Sequence, residues 1–286
     1  MRINLHSHSN YSDGVNPPSK VIDIFADERL NLVALTDHDT IFGLEEAKRE
    51  CEEKDIAFLS GIEFSASLAD TPLSFANDYT VCHILGYGFD IDMMKQRIKE
   101  HHAKMKTGVA ALIKELRELG YDVNISKLPN NDFWVSVDVA RLLVKKGYSN
   151  NVWATFGTII SKAKNRRMFF VNPKDIINII HECGGLAFFA HPFDIIQDDM
   201  KIKVPLEVTE EIIPYLISVG IDGLEARYSA YSPEKQAFIE DVANKNNLLI
   251  SYGTDFHGGR SYKETMYIDV QPLPQWIERL LNKKTF

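Results

Sequence analysis

Short apolar runs alternate with amphipathic stretches along most of the chain. Arg2-Ile-Asn-Leu-His6 alternates with period two, and Leu32-Val-Ala-Leu35 leads into Thr36-Asp37-His38. Ala57 to Ile62 leads into Glu63, and Thr80-Val-Cys-His83-Ile-Leu85 forms a fourth run. Leu186 to Ala190 leads into His191, Ile221 to Leu224 into Glu225, and Leu248 to Ser251 towards Asp255. Alternation or a short apolar run bounded by polar residues predicts a strand. Helical spacing predicts helices over 18–29, 43–54, 173–183, 208–219 and 233–246. Pro173 and Pro233 suit first-turn positions, and Ser232 suits an N-cap.

Seven strands joined by crossover helices predict an α/β fold with a parallel sheet, open or closed. Residues 93–170 break this rhythm. Ile98, Met105, Val109, Leu112, Leu116 and Leu119 keep helical spacing, and Gly120 supplies a stop. Further helices are expected over 137–146 and within 152–163. The predicted organisation is therefore a barrel domain from 1–92 and 171–286, with a helical insertion, 93–170, after the fourth strand.

Composition adds little about the fold but something about the ligand. With 286 residues and 45% hydrophobic content, the chain suits one large α/β domain carrying an insertion. Three widely spaced cysteines without a CxxC motif predict reduced core thiols and a cytoplasmic protein. The N-terminus lacks an apolar leader segment, and no apolar run has membrane-span length, so no membrane association is expected. The net charge of −8 is unevenly spread: residues 93–174 hold 16 of the 32 Lys+Arg and six Asp+Glu. A basic helical module beside an acidic remainder suits a multiply charged anion, although a solvated helical surface explains it equally well.

The chemistry lies at the strand ends. His6, His8, His38, His83, His191 and His257 occur there or on strands, together with Asp13, Glu63 and Asp255. Strand C-termini are where α/β barrels assemble their sites. Histidine and carboxylate are ligands for divalent metals, and nine such groups suit two or three ions. Such a cluster performs metal-assisted hydrolysis, above all of phosphoesters. Taken singly the signals are weak. HxH is common by chance, a lone Glu63 is more often a surface residue, and His83 inside an apolar strand is by default a core histidine. Asp37 is a candidate catalytic residue, placed beside His38 where an adjacent acid could orient that ring, while Asp39 or Thr40 could instead cap the following helix. His101 and His102 in the basic helix and His181 in a later helix carry no chemical signal. Arg141 and Arg227 are candidate catalytic clamps on phosphoryl oxygens, and Lys162, Lys164, Arg166 and Arg167 could hold a second phosphate or a nucleotide chain.

These elements together resemble the PHP (polymerase and histidinol phosphatase) superfamily. The motifs His6-x-His8, Asp13, Thr36-Asp37-His38, Glu63, His83, His191-Pro192 and Asp255-Phe-His257 carry the resemblance over nearly the whole chain. The likeness is strongest to stand-alone members of the type that acts on nucleoside 3′,5′-bisphosphates or, as 5′→3′ exoribonucleases, on short RNA. It implies a distorted (β/α)7 TIM-like barrel with two or three divalent ions, manganese first, zinc or iron as alternatives. It also implies a metal-dependent phosphoesterase that hydrolyses a small nucleotide or short 5′-phosphorylated RNA with a metal-activated hydroxide. The insertion departs from the usual Arg-Pro-His-x-Ala-Arg: here the stretch reads Ser136-Val-Asp-Val-Ala140-Arg141. Phe170-Val171-Asn172 replaces a later Tyr-Val-Pro, and a long polar loop runs through Asp70–Asp78. The rival readings are a histidinol-phosphate phosphatase, an amidohydrolase barrel (which would place a lysine where His83 stands) and a non-catalytic nucleic-acid-binding module. No stable protein partner is suggested.

Overall fold

The computed structural model describes residues 1–69, 71–73, 80–128, 134–163, 171–197, 200–203, 206–258 and 265–283. The seven expected strands are β1 (Arg2–Asn4), β2 (Leu32–Leu35), β3 (Ala57–Ser67), β4 (Thr80–Tyr87), β5 (Leu186–Phe189), β8 (Gly223–Tyr228) and β9 (Leu249–Gly253). They lie side by side in that order. The chain after β1 closes the ring against β9: Leu5 N–H donates to Tyr252 O at 2.9 Å, and His8 N–H to Phe256 O at 2.8 Å. The result is a seven-stranded TIM-like barrel.

One expectation fails. The barrel is not all-parallel, because β4 runs antiparallel to both β3 and β5. Among the described residues no helix lies between β3 and β4, and a connection without a crossover returns the chain antiparallel. Three strands were not foreseen. The hairpin β6 (Asp194–Gln197) and β7 (Met200–Lys203) extends from β4, and β10 (Ile268–Asp269) pairs antiparallel with β1.

The crossover helices are α1 (Pro18–Asp27), α2 (Leu44–Glu53), α6 (Pro173–Glu182), α7 (Leu206–Ser218) and α8 (Pro233–Lys245). Pro173 and Pro233 occupy the first turns, and the Ser232 side chain accepts the Lys235 N–H. The outer face of the sheet (Val33, Leu35, Ile62, Phe64) packs against Val21, Phe25, Ile176 and Ile180 of these helices. Inside the barrel, Leu5, Leu59, Leu85, Tyr87 and Phe188 form an apolar layer. A further helix, α9 (Gln275–Asn282), seals its lower end with Trp276, Ile277 and Leu280. Strand alternation then brings Glu63 above Leu59 and His83 above Leu85, so the polar layer sits on a closed apolar floor.

The helical segment comprises α3 (Ile91–Glu118), α4 (Ser136–Lys145) and α5 (Val152–Thr158). Asp90 caps α3 by accepting the Met93 N–H. Met94 and Ile98 join the barrel's outer core, whereas Val109, Leu112, Leu116, Val139, Leu143, Phe156 and Ile160 make a separate core. Helix α3, about 42 Å long at 1.5 Å per residue, thus has one end on the barrel and the other in a helical cluster. No helix among the described residues is long and apolar enough to cross a membrane.

Candidate metal centre

The barrel brings together all nine predicted ligands. Glu63, fully buried at the end of the parallel pairing between β2 and β3, is the hub. Its Oε2 lies 3.1 Å from His6 Nε2, 3.2 Å from His8 Nε2 and 3.3 Å from His38 Nδ1. Its Oε1 lies 3.1 Å from His83 Nδ1 and 3.2 Å from His191 Nε2. Asp255 Oδ1 approaches His8 Nε2 at 3.1 Å and His6 Nε2 at 3.4 Å. Asp13 Oδ2 approaches His257 Nε2 at 3.0 Å and His38 Nε2 at 3.8 Å. Eight of the nine fall into three overlapping groups able to hold an ion: His8–Asp13–His38–His257, His6–His8–Glu63–Asp255 and His38–Glu63–His83. His191 joins them through Glu63. His83 therefore faces the site, not the core.

Five buried atoms in this cluster have no hydrogen-bond partner: His6 Nε2, His8 Nε2, His38 Nδ1, Glu63 Oε2 and His83 Nδ1. Orphaned buried polar atoms are rare because each costs desolvation. Here they converge on one another at 3.1–3.3 Å without hydrogen-bond geometry. Bonds of about 2.0–2.2 Å to a common ion set its ligand atoms about 3.0–3.5 Å apart. The donor set thus fits divalent ions.

The outer partners fix which ring nitrogen faces inward. A backbone carbonyl can only accept, so His191 Nδ1–H donates to Asp194 O (3.2 Å) and His257 Nδ1–H to Asp255 O (2.7 Å). His6 Nδ1–H donates to Glu225 Oε1 at 2.9 Å. In all three rings Nε2 is left for the site. Glu225 also accepts the His191 backbone N–H on Oε2 at 2.8 Å and is fully buried. It is the main residue that sequence reasoning missed, although it ends the Ile221–Leu224 run just as the chosen ligands end theirs. A Cβ at Gly253 would lie 2.3 Å from both Glu225 Oε1 and His6 Cβ, so only glycine admits this pair. Tyr228, also missed, donates its hydroxyl to Asp255 Oδ2 at 3.1 Å.

Backbone strain gathers here as well. Among the described residues, six non-glycine residues adopt positive φ. Arg29, Asp55 and Asn247 follow helices α1, α2 and α8, where left-handed exits are common. The other three are Asp39, His191 and Asp255, at φ 55°, 28° and 55°. Two are in the cluster and one adjoins His38, the pattern expected where geometry is held for function.

Asp37 does not touch the cluster. Its carboxylate accepts the Ser9 N–H (2.7 Å), the Ser9 hydroxyl (2.6 Å) and the Ser12 hydroxyl (2.6 Å). It orders the loop that carries Asp13 and not the His38 ring. Asp39 and Thr40 do not cap α2, whose N-cap, Gly43, makes no side-chain bond. Instead Asp39 Oδ1 accepts from His101 Nε2–H at 2.9 Å and from the Ser65 N–H at 3.0 Å, and its carbonyl accepts from His102 Nε2–H at 2.9 Å. The two histidines that carried no chemical signal are buried and fasten α3 to the loop beside His38.

The predicted clamps divide. Arg141 reaches from α4 to the Asp13 loop, donating to Asn10 O at 3.5 Å and Gly14 O at 3.3 Å. Arg227 forms a two-bond ion pair with Glu240 of α8, in the outer helix layer, so its assignment as a clamp is corrected. A bulge between Leu224 and Arg227 shifts strand parity and turns Arg227 away from the face that Glu225 occupies. Lys162 donates to Tyr121 OH within the helical segment, at 3.2 Å. Lys164, Arg166 and Arg167, and the Asp70–Asp78 loop apart from Thr71–Leu73, lie outside the described residues.

The electrostatics predict how the site loads. Burial alone would lower the pKa of His8, but Asp255 and Glu63 beside it raise it to about 10. Burial is likewise outweighed at His6, where Glu225, Glu63 and Asp255 hold the pKa well above the usual imidazole range. Burial pushes His38 down to about 4. At neutral pH the metal-free His6 and His8 are therefore protonated, whereas ligation needs them neutral. The sign follows: raising pH removes competing protons and strengthens metal uptake. Titrating Mn²⁺ into the chelator-treated protein should show affinity rising about tenfold or more per unit between pH 6 and 8, with proton release. An affinity that stays flat over that range would contradict this electrostatic account.

The chain matches the PHP domain family over residues 4–182. A 3′,5′-nucleoside bisphosphate phosphatase of Chromobacterium violaceum is 28% identical over 290 residues, covering 96% of this chain and 95% of its own length. A 5′-3′ exoribonuclease of Haemophilus influenzae is 25% identical over 267 residues, 90% of each chain. The structure of an amidohydrolase from Chromobacterium violaceum with bound sulfate superposes with a TM-score of 0.76 at 26% identity, covering 97% of this chain and 95% of that one. With the matched region spanning more than half its length and the ligand cluster lying at the strand ends, the chain belongs to the PHP domain family.

Proposed function

We propose that this metal-dependent phosphoesterase hydrolyses phosphoesters of a small nucleotide or of short 5′-phosphorylated RNA. The observation that carries the reading is the convergence of four orphaned imidazole nitrogens on the Glu63 carboxylate, whose Oε2 is itself orphaned, beside a loop gripped by Arg141 of the helical segment. His6, His8, Asp13, His38, Glu63, His83, His191, Asp255 and His257 are the proposed ligands of two or three divalent ions. Manganese is the expected metal, with zinc or iron as alternatives, because imidazole and carboxylate donors suit all three. Bound ions supply charge neutralisation at the phosphoryl oxygens and acidify the attacking water.

The residues divide the remaining work. Glu63 spaces the groups, since its two oxygens face different sets of histidines. Glu225 and the carbonyls of Asp194 and Asp255 hold ring orientation. Asp37 is a positioning residue for the Asp13 loop and not a group that meets substrate. Arg141 makes long bonds of 3.3–3.5 Å to two carbonyls. A phosphate oxygen, being charged, would compete well for those donors. We assign Arg141 as the phosphate clamp, and the helical segment 93–170 as the module that carries it over the barrel mouth. The similarity to a bisphosphate phosphatase and an exoribonuclease supports the nucleotide reading. Three buried, unpaired cysteines agree with a reducing, cytoplasmic setting.

The test is phosphate release, with Mn²⁺ added, from adenosine 3′,5′-bisphosphate, a short 5′-phosphorylated RNA and histidinol phosphate in parallel. Turnover of either nucleotide compound, lost on chelation and restored by Mn²⁺, is the expected result. Turnover of histidinol phosphate alone would replace this reading with the amino-acid phosphatase. Tight RNA binding without turnover would replace it with a binding module.

A further inference from the structure

His6, His191 and His257 are each aimed by a hydrogen bond to a group outside the ligand set or to a backbone carbonyl, but His38 is not. Among the described residues its ring nitrogens face only carboxylates that are ligands themselves: Nδ1 lies 3.3 Å from Glu63 Oε2, and Nε2 lies 3.8 Å from Asp13 Oδ2. The rings packed on it at 4.6 and 4.7 Å, His8 and His83, are ligands as well. The aim of this ring then depends on the backbone that carries it. That backbone is fixed one residue further on, at Asp39, which is 2% exposed and held at a φ of 55°. Its N–H donates to Glu63 O at 2.8 Å, and its Oδ1 accepts the Ser65 N–H of β3 at 3.0 Å. Two more bonds come from α3: His101 Nε2–H to Asp39 Oδ1 and His102 Nε2–H to Asp39 O, each 2.9 Å. His101 is equally buried, and its Nδ1 has no partner. Burying an imidazole with one nitrogen unsatisfied costs stability. An apolar side chain would pack as well against Phe64, whose ring meets His101 edge-on at 5.4 Å. What His101 adds is the bond to Asp39.

We infer that the helical segment completes an ion site of the barrel: His101 is a positioning residue that, through Asp39, sets the aim of His38. The inference rests on the ligand assignment above. The segment holds the other side of the same ligand group too, since Arg141 of α4 bonds the carbonyls of Asn10 and Gly14, which bracket Asp13. Both loops of the His8–Asp13–His38–His257 group are thus tied to helices outside the barrel. The His6–His8–Glu63–Asp255 group has no such tie: its residues stand on or just after barrel strands, and His6 is aimed by Glu225 of β8. Two of the three ligand groups contain His38 and this one does not. Loss of the His101 bond therefore weakens the ions unevenly. A residue that served only the packing of α3 would have no reason to distinguish one ion from another.

The experiment is calorimetric titration of Mn²⁺ into the chelator-treated full chain, resolving the dissociation constant of each ion. His101→Leu removes the donor and keeps bulk. Asp39→Gly removes the acceptor and tolerates the left-handed backbone. Each should weaken the ions of the His38-containing groups by about 10- to 100-fold, the usual effect of losing an outer partner of a ligand. The tightest remaining ion, on His6–His8–Glu63–Asp255, should keep its affinity. His101→Gln, whose amide N–H can take the place of Nε2–H, should return wild-type binding of every ion. His38→Ala, removing the ligand itself, should lose the same ions that His101→Leu weakens. Wild-type binding in both His101→Leu and Asp39→Gly, beside a loss in His38→Ala, overturns the positioning role and leaves the ligand assignment standing. Equal weakening of all ions in His101→Leu, or weakening in His101→Gln as severe as in His101→Leu, overturns it too. Wild-type binding in His38→Ala overturns the assignment of His38 as a ligand, and the inference with it.

Discussion

Replacing Glu63 by glutamine should lower kcat/KM on the true substrate by about 10³-fold or more, the loss expected when about 4 kcal/mol of metal-supplied stabilisation disappears. The carboxylate is buried, surrounded by five histidines within 3.3 Å, and held in its ionised form by them despite the burial that opposes it. Glutamine has nearly the same shape but one acceptor oxygen instead of two. Its amide nitrogen must then face either the His6–His8–His38 set or the His83–His191 pair, and it offers a donor where an ion needs a lone pair. Metal content measured on the purified variant should fall together with activity, while the circular dichroism spectrum stays native. His8→Ala should be as damaging, since His8 belongs to two of the three ligand groups. A Glu63→Gln protein with full metal content and normal turnover would remove the cluster from the reaction.

The reach of the sequence is clearest at the ligands. Most of the nine proposed ligands follow or end apolar runs, and barrel closure brings those run ends together; His83, inside β4, and Asp13, on the loop after β1, are the exceptions. The same logic pointed at Glu225, but sequence alone does not separate a ligand from the carboxylate that orients one. That distinction depends on which imidazole nitrogen faces inward. Arg227 shows the opposite failure. Two residues beyond Glu225, it should share its face, and only the bulge before it reverses that parity. The direction of β4 was legible in retrospect. The absence of any helical pattern between Glu63 and Thr80 left no room for a crossover. His101 and His102 were not legible, because their role depends on the partner that α3 meets, and helical spacing says nothing about that. Asp39 looked like a cap for the same reason: its local sequence favours one, and a tertiary contact claimed the side chain instead.

Glu225 therefore provides the sharper test of how the site is held. Both of its partners are donors: His6 Nδ1–H at 2.9 Å and the His191 N–H at 2.8 Å. Glutamine can accept only one of these bonds and must aim its own N–H₂ at the other, so Glu225→Gln breaks the geometry without removing bulk. Removing an outer partner of a metal-bound histidine typically lowers metal affinity by about 10- to 100-fold, and that is the expected shift in Mn²⁺ dissociation constant. Glu225→Ala goes further. It leaves two buried donors unpaired and should destabilise the fold by about 3–5 kcal/mol, the usual cost of breaking a buried charged pair. The two variants separate two roles. If Glu225 only orients ligands, saturating Mn²⁺ should return most of the kcat of Glu225→Gln, because His6 and His191 can be pulled back into place by the ions themselves. A kcat that stays low at full metal occupancy would show instead that Glu225 acts on the reacting groups, and the assignment as a positioning residue would fall. Wild-type metal affinity and thermal midpoint in both variants would deny the carboxylate either role.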